Sequence, residues 1–108
     1  MQTTRNNVMT EVIETYEGWT MSVVTGATGD QLVTDQPAQV KAVRIGGVAA
    51  LLGAVGVKDG NTLKETLVAT SAIATERQYY GALFNGGVKI NLANAADTVI
   101  IFWKLANG

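Results

Sequence analysis

The chain is expected to fold as an all-β domain, a compact antiparallel β-sandwich or jelly-roll-like unit with an N-terminal arm. Three observations lead there. Short apolar segments recur at strand length from Gln39 to Leu105. Turn-forming clusters separate them at Gly46-Gly47, Asp59-Gly60-Asn61, Ala72 to Glu76, Asn85-Gly86-Gly87 and Asn94 to Asp97. In the clearest segment Val88, Ile90 and Leu92 alternate with Lys89 and Asn91, the period-2 pattern of a strand with one buried face.

The first seven residues, MQTTRNN, hold one Arg and no apolar run, so they read as a loose end without a secretory signal pattern. Residues 7 to 18 carry two patterns. Met9, Val12, Ile13 and Tyr16 follow helical spacing between a capping Asn7 and Gly18. The β-branched Val8, Thr10, Val12 and Ile13 favour a strand, and both readings stay open. From Trp19 to Thr25 the chain alternates, with Trp19, Met21 and Val23 on one face and Thr20, Ser22 and Val24 on the other.

Gly26 to Asp30 reads as a turn, and Pro37 marks a break. Residues 1–37 are therefore taken as an arm or extension, or else as part of the domain, and 38–108 as the core. Strands are expected at Gln39 to Ile45, Val48 to Val57, Thr62 to Val68, Gln78 to Phe84, Val88 to Leu92 and Thr98 to Leu105. Asn85-Gly86 is expected to close a tight hairpin by supplying two positive-φ positions. Ile45 to Val57 is uncharged but too short for a membrane helix of about 20 residues, and is read as core strand around a glycine kink. Val99 to Trp103, VIIFW, is apolar on both faces, which places it at a sheet centre or against another subunit.

Little chemistry is available to such a chain. It has no Cys and no His, which removes thiolate nucleophiles, imidazole bases, disulfides and nearly all zinc or iron chemistry. The acidic residues are scattered singly, none in an apolar pattern that would raise a carboxyl pKa, so no catalytic pair is expected. Gly53-Ala-Val-Gly56 and Gly26-Ala-Thr-Gly29 lack the ending and context of phosphate loops. Asp59-Gly60-Asn61 is a turn rather than a calcium loop. No metal or cofactor is expected.

With a net charge of -1 the chain has no basic field for nucleic acid or an anionic membrane. Only 16% of it is charged and 47% is hydrophobic, which points to a surface partly covered by other protein. Tyr79 and Tyr80, adjacent in a strand, must face opposite ways, so one of them faces outward. Arg44 and Arg77 are candidates for ion pairs between subunits, or for solvated charges. The expected interface residues are Met9, Val12, Ile13, Tyr16, Trp19, Arg44, Tyr79, Tyr80 and Trp103.

From Val40 to Lys104 the order of features resembles small structural proteins of tailed-bacteriophage virions, of the decoration, cement or fibre-like type. The matching stretches are VKAVRIGGVAALLGAVGVKDG and ERQYYGALFNGGVKINLANAADTVIIFWK. The resemblance implies a non-enzymatic β protein located in the virion, made in the host cytoplasm and often trimeric, whose partner is the major capsid protein or another virion protein. Its expected role is capsid decoration. The alternatives are a tail, neck or fibre subunit, or a host-recognition or carbohydrate-binding module.

Overall fold

The computed structural model describes residues 10–14, 18–45, 51–68 and 76–107, and among these it places nine strands. They are β1 (Thr10–Glu14), β2 (Thr20–Thr25), β3 (Gly29–Thr34), β4 (Ala38–Ile45), β5 (Val55–Asp59), β6 (Thr62–Leu67), β7 (Glu76–Phe84), β8 (Val88–Leu92) and β9 (Thr98–Leu105). The winding starts at the β5–β6 hairpin, where Gly60 takes a φ of 59° at the first central position of a two-residue turn. From there the two halves of the chain pair antiparallel as one long ribbon: β5 with β6, β4 with β7, β3 with β8 and β2 with β9.

Rolling that ribbon up brings β4 beside β9 and β5 beside β8. Two antiparallel sheets result, one ordered β1-β2-β9-β4-β7 and the other β3-β8-β5-β6. Strands β2 to β9 thus form the eight-stranded, doubly wound sandwich of a jelly roll, as expected for the fold class. From β2 to β9 every connection except the β5–β6 turn crosses from one sheet to the other.

The core lies between the sheets. Val24, Val40, Val43, Phe84, Val99 and Ile101 come from the first sheet and Val55, Val57, Val88, Ile90 and Leu92 from the second, all essentially without solvent contact. Each such side chain contributes about 1.5–3 kcal/mol relative to exposure. The alternation of Val88–Leu92 and Val99–Ile101 is what aims these residues inward.

Several expectations need correction. Asn85-Gly86 does not close a hairpin, because β7 and β8 belong to different sheets. The Gly87 amide donates to the Phe84 carbonyl across 3.4 Å, and the positive φ, 93°, belongs to Gly87 rather than to Asn85 or Gly86. Gly87 is needed because a β-carbon there would sit 2.4 Å from the Thr34 carbonyl oxygen, where the β3–β4 turn crosses beneath.

The strand expected at Val48 to Val57 begins only at Val55; residues 46–50 lie outside the described residues, and Leu51 to Ala54 form a loop. Strand β3 was not expected at all. Gln31, 7% exposed, takes one of its inward positions and Val33 the other, so no run of apolar alternation marks it. The amide of Gln31 is held locally by the carbonyls of Thr28 and Gly29, at 3.1 and 3.2 Å.

At the N-terminus, residues 10–14 are strand rather than helix, in register with β2 from Thr10–Val24 to Glu14–Thr20. Within the described part of residues 1–37, β1 and β2 are strands of the first sheet and β3 is a strand of the second. Met9 and Tyr16 lie outside the described residues. Among the described residues no helix is long and apolar enough to cross a membrane.

Candidate functional site

The outer face of the five-stranded sheet gathers the most distinctive surface chemistry. Cross-strand register lays it out in rows. Met21 on β2 stands opposite Phe102 on β9, which stands opposite Ala42 on β4. The next row runs Val23, Ile100, Arg44, Glu76, and on the other side Lys104, Gln39 and Leu83 line up. Strand β9 therefore sits at the sheet centre, with Val99 and Ile101 inward and Ile100 and Phe102 outward, which is why VIIFW is apolar throughout.

Cations cap the aromatic rings on this face. Lys104 Nζ lies 4.6 Å and Lys41 Nζ 6.0 Å from the centroid of Trp19, and the Arg44 guanidinium lies 5.2 Å from that of Phe102. The Trp19 ring extends toward Gly81: a β-carbon there would lie in ordinary contact with it, at 3.9 Å. Gly81 is also held by the Gln39 amide, which donates to its carbonyl at 3.4 Å.

Beside Gly81 the edge strand β7 bulges. Val40 pairs with Ala82 and Ala42 with Gln78, so Tyr79, Tyr80 and Gly81 all stand against the single residue Lys41. Inside this bulge Tyr80 takes a φ of 56° and is 89% exposed, while Tyr79 turns into the core and meets Phe84 edge-on, centroids 5.9 Å apart. The two tyrosines do face opposite ways.

The other expected interface residues are placed as follows. Arg44 is paired within the chain, its guanidinium 2.9 Å from Glu76, and Arg77 is paired with Glu65 at 2.9 Å. The Arg44 hydrogen bond is the main cause holding the Glu76 carboxyl below its usual range. Trp103 points into the sandwich and donates its indole N–H to Ser22 Oγ across 2.8 Å, leaving Phe102 as the outward aromatic of β9. Val12 and Ile13 lie on β1, Ile13 in register with Met21. Lys41, Phe102 and Lys104 were missed; alternation of Phe102 and Lys104 with the core residues Ile101 and Trp103 was the available signal.

Among the described residues, three more carboxylates, Asp30, Asp59 and Asp97, serve structural tasks. Asp30 accepts from Asn91 and from Lys58, bonds that hold its carboxyl below the usual range. Asp59 accepts the Gly86 amide at 2.7 Å, and Asp97 accepts the amides of Leu52 and Gly53. Among the described residues no group of three or more acids could hold a metal ion. A shallow groove of about 270 Å³ on the outer face of the other sheet, floored by Gly56 and Ala54, carries Lys58 and Asn91. Both of those polar groups are committed to Asp30. Comparison with protein-family models, with curated proteins and with solved structures gives no match.

Proposed function

We propose that this chain is a non-enzymatic structural protein of a tailed-phage virion, a decoration or cement protein that assembles as a homotrimer and binds the major capsid protein. The observation that carries this reading is the outer face of the five-stranded sheet, where Met21, Val23, Ile100 and Phe102 lie together on a domain with few charges. The resemblance of residues 40 to 104 to virion structural proteins points the same way. Jelly rolls also serve as viral capsid domains, which agrees at the level of fold alone.

A decoration protein acts by mass action. It binds the assembled shell better than the separate subunits, and so raises the free energy needed to take the shell apart. Such a role needs contact area and rigidity, not an active site. A carbohydrate-binding module is the second reading, favoured by the 89% exposed ring of Tyr80.

Light scattering on the full chain tests the assembly: the expected mass is three times the 11.4 kDa of one chain, and a monomer at every concentration overturns the trimer. Co-sedimentation with assembled phage shells, set against unassembled capsid subunits, tests the partner. Retention of glycan binding only while Tyr80 is present would favour the second reading.

A further inference from the structure

We propose that the corner of the five-stranded sheet built by Trp19, Lys41, Tyr80 and Lys104 is a docking surface for an acidic segment of a partner protein. The proposal stands on the geometry of this corner and does not require the virion reading. Three observations converge on it. The first is charge. Arg44, Lys58 and Arg77 each have a carboxylate within ion-pair distance, whereas Lys41 and Lys104 have none among the described residues and rest on the face of Trp19 instead. Lys41 acts on the Glu76 carboxylate through space alone, so two ammonium groups are free of direct ion pairs among the described residues of a chain whose net charge is -1.

The second is strain. A non-glycine residue at a φ of 56° is strained, and Tyr80 holds this conformation in a strand. Its ring makes no hydrogen bond or ring contact among the described residues and is 89% exposed. The bulge therefore presents an aromatic anchor outward, on the same strand as Leu83, which is 51% exposed.

The third is continuity. The bulge stands directly against Lys41, and Trp19 reaches Gly81, so the anchor, the ring and both lysines form one patch. A partner carboxylate here gains two ammonium groups, while an adjacent apolar side chain covers Leu83 and the edge of Tyr80. Nucleic acid fits less well, because two cations neutralise too few phosphates for useful affinity.

The full chain is titrated with a short synthetic peptide of glutamates interspersed with leucines, with its lysine counterpart, and with a short DNA duplex. Backbone amide shifts report where each binds. The expected result is binding of the acidic peptide alone, with shifts at Trp19, Gly81, Leu83 and Lys104. Affinity should fall by about tenfold in the double variant Lys41→Gln, Lys104→Gln, and also in Tyr80→Ser.

Lys64→Gln, which removes an exposed lysine from the other sheet, should leave affinity unchanged. Equal affinity in the double variant, an equal loss in Lys64→Gln, comparable DNA binding, or shifts confined elsewhere would overturn the proposal. So would a concentration-dependent oligomer that the double variant dissolves, since the occupant would then be a second copy. Because Tyr80 is exposed, its variant keeps the test decisive should the lysine pair disturb folding.

Discussion

Tyr79 donates its hydroxyl to Glu65 across 2.7 Å, tying the edge strand of one sheet to the edge strand of the other. Glu65 is in register with the buried Val57 and so faces the sandwich interior from an edge position. An inward charge on an edge strand opposes stray strand pairing, and Arg77 and Tyr79 together satisfy it. Burial first, and the bond to Glu65 second, push the Tyr79 hydroxyl well above its ordinary value of 10.0.

The sign of the pH effect follows. Folding favours the protonated phenol, so its contribution is complete below pH 10.0 and is lost as pH rises through the higher folded value. Tyr79→Phe should cost about 1.5–3 kcal/mol at neutral pH, from one hydrogen bond to a charged group. Urea denaturation should also show a shallower loss of stability above pH 10.0 in the variant than in the wild type. Equal alkaline slopes would mean that Tyr79 is not the group responsible.

Two glycines separate conformation from contact. Gly29 has a φ of 91° with open space where a β-carbon would go, and Gly87 has a φ of 93° with the Thr34 carbonyl 2.4 Å away. Gly29→Ala should therefore cost about 1 kcal/mol, the conformational penalty alone. Gly87→Ala adds a backbone clash at a crossing between the sheets, and should cost at least about 3 kcal/mol or abolish folding. Denaturant midpoints of the two variants check the difference.

The parts of the fold legible in the sequence were those where alternation is strong. Trp19 to Thr25, Val88 to Leu92 and Thr98 to Leu105 each show one apolar face or two, and their strands lie where that pattern places them. Strand β3 was illegible because only Val33 packs apolar surface inward, while the other inward residue, Gln31, has its amide satisfied by its own turn. The Asn85-Gly86-Gly87 turn misled for another reason. A turn sequence reports local backbone freedom, while the choice between hairpin and crossover is made by what the turn lies against, here Thr34 and Asp59. At the candidate site, the opposed tyrosines follow from strand geometry, but the bulge that strains Tyr80 depends on register with β4 and leaves no local mark.

Asp97 is a loop clamp. It is 5% exposed, and its two carboxylate oxygens accept the Leu52 and Gly53 amides at 2.7 and 2.9 Å, fastening the β4–β5 connection to the β8–β9 turn. Asp97→Ala leaves both amides without their acceptor and should destabilise by about 2–4 kcal/mol. Asp97→Asn keeps one acceptor oxygen and should cost roughly half as much. Amide hydrogen exchange at Leu52 and Gly53 should accelerate in the same order; unchanged protection in Asp97→Ala would show that the loop holds itself.

Acid stability should depend on Asp30 and Glu76. Asn91 donates to Asp30 across 2.6 Å, and this bond is the largest cause of its lowered pKa, followed by the hydrogen bond from Lys58. For Glu76 the hydrogen bond from Arg44 leads. A carboxyl whose folded pKa is depressed stabilises the fold above its unfolded value, near 4, and loses that contribution as pH falls through the folded value. Both groups are partly exposed, at 34% and 33%, so solvent screening keeps each contribution small. Asn91→Ala should shift the titration of Asp30 upward toward 3.8 while leaving Glu76 unmoved, as read from side-chain carboxyl chemical shifts. If Asp30 keeps its wild-type midpoint in that variant, Lys58 rather than Asn91 is what holds its proton off.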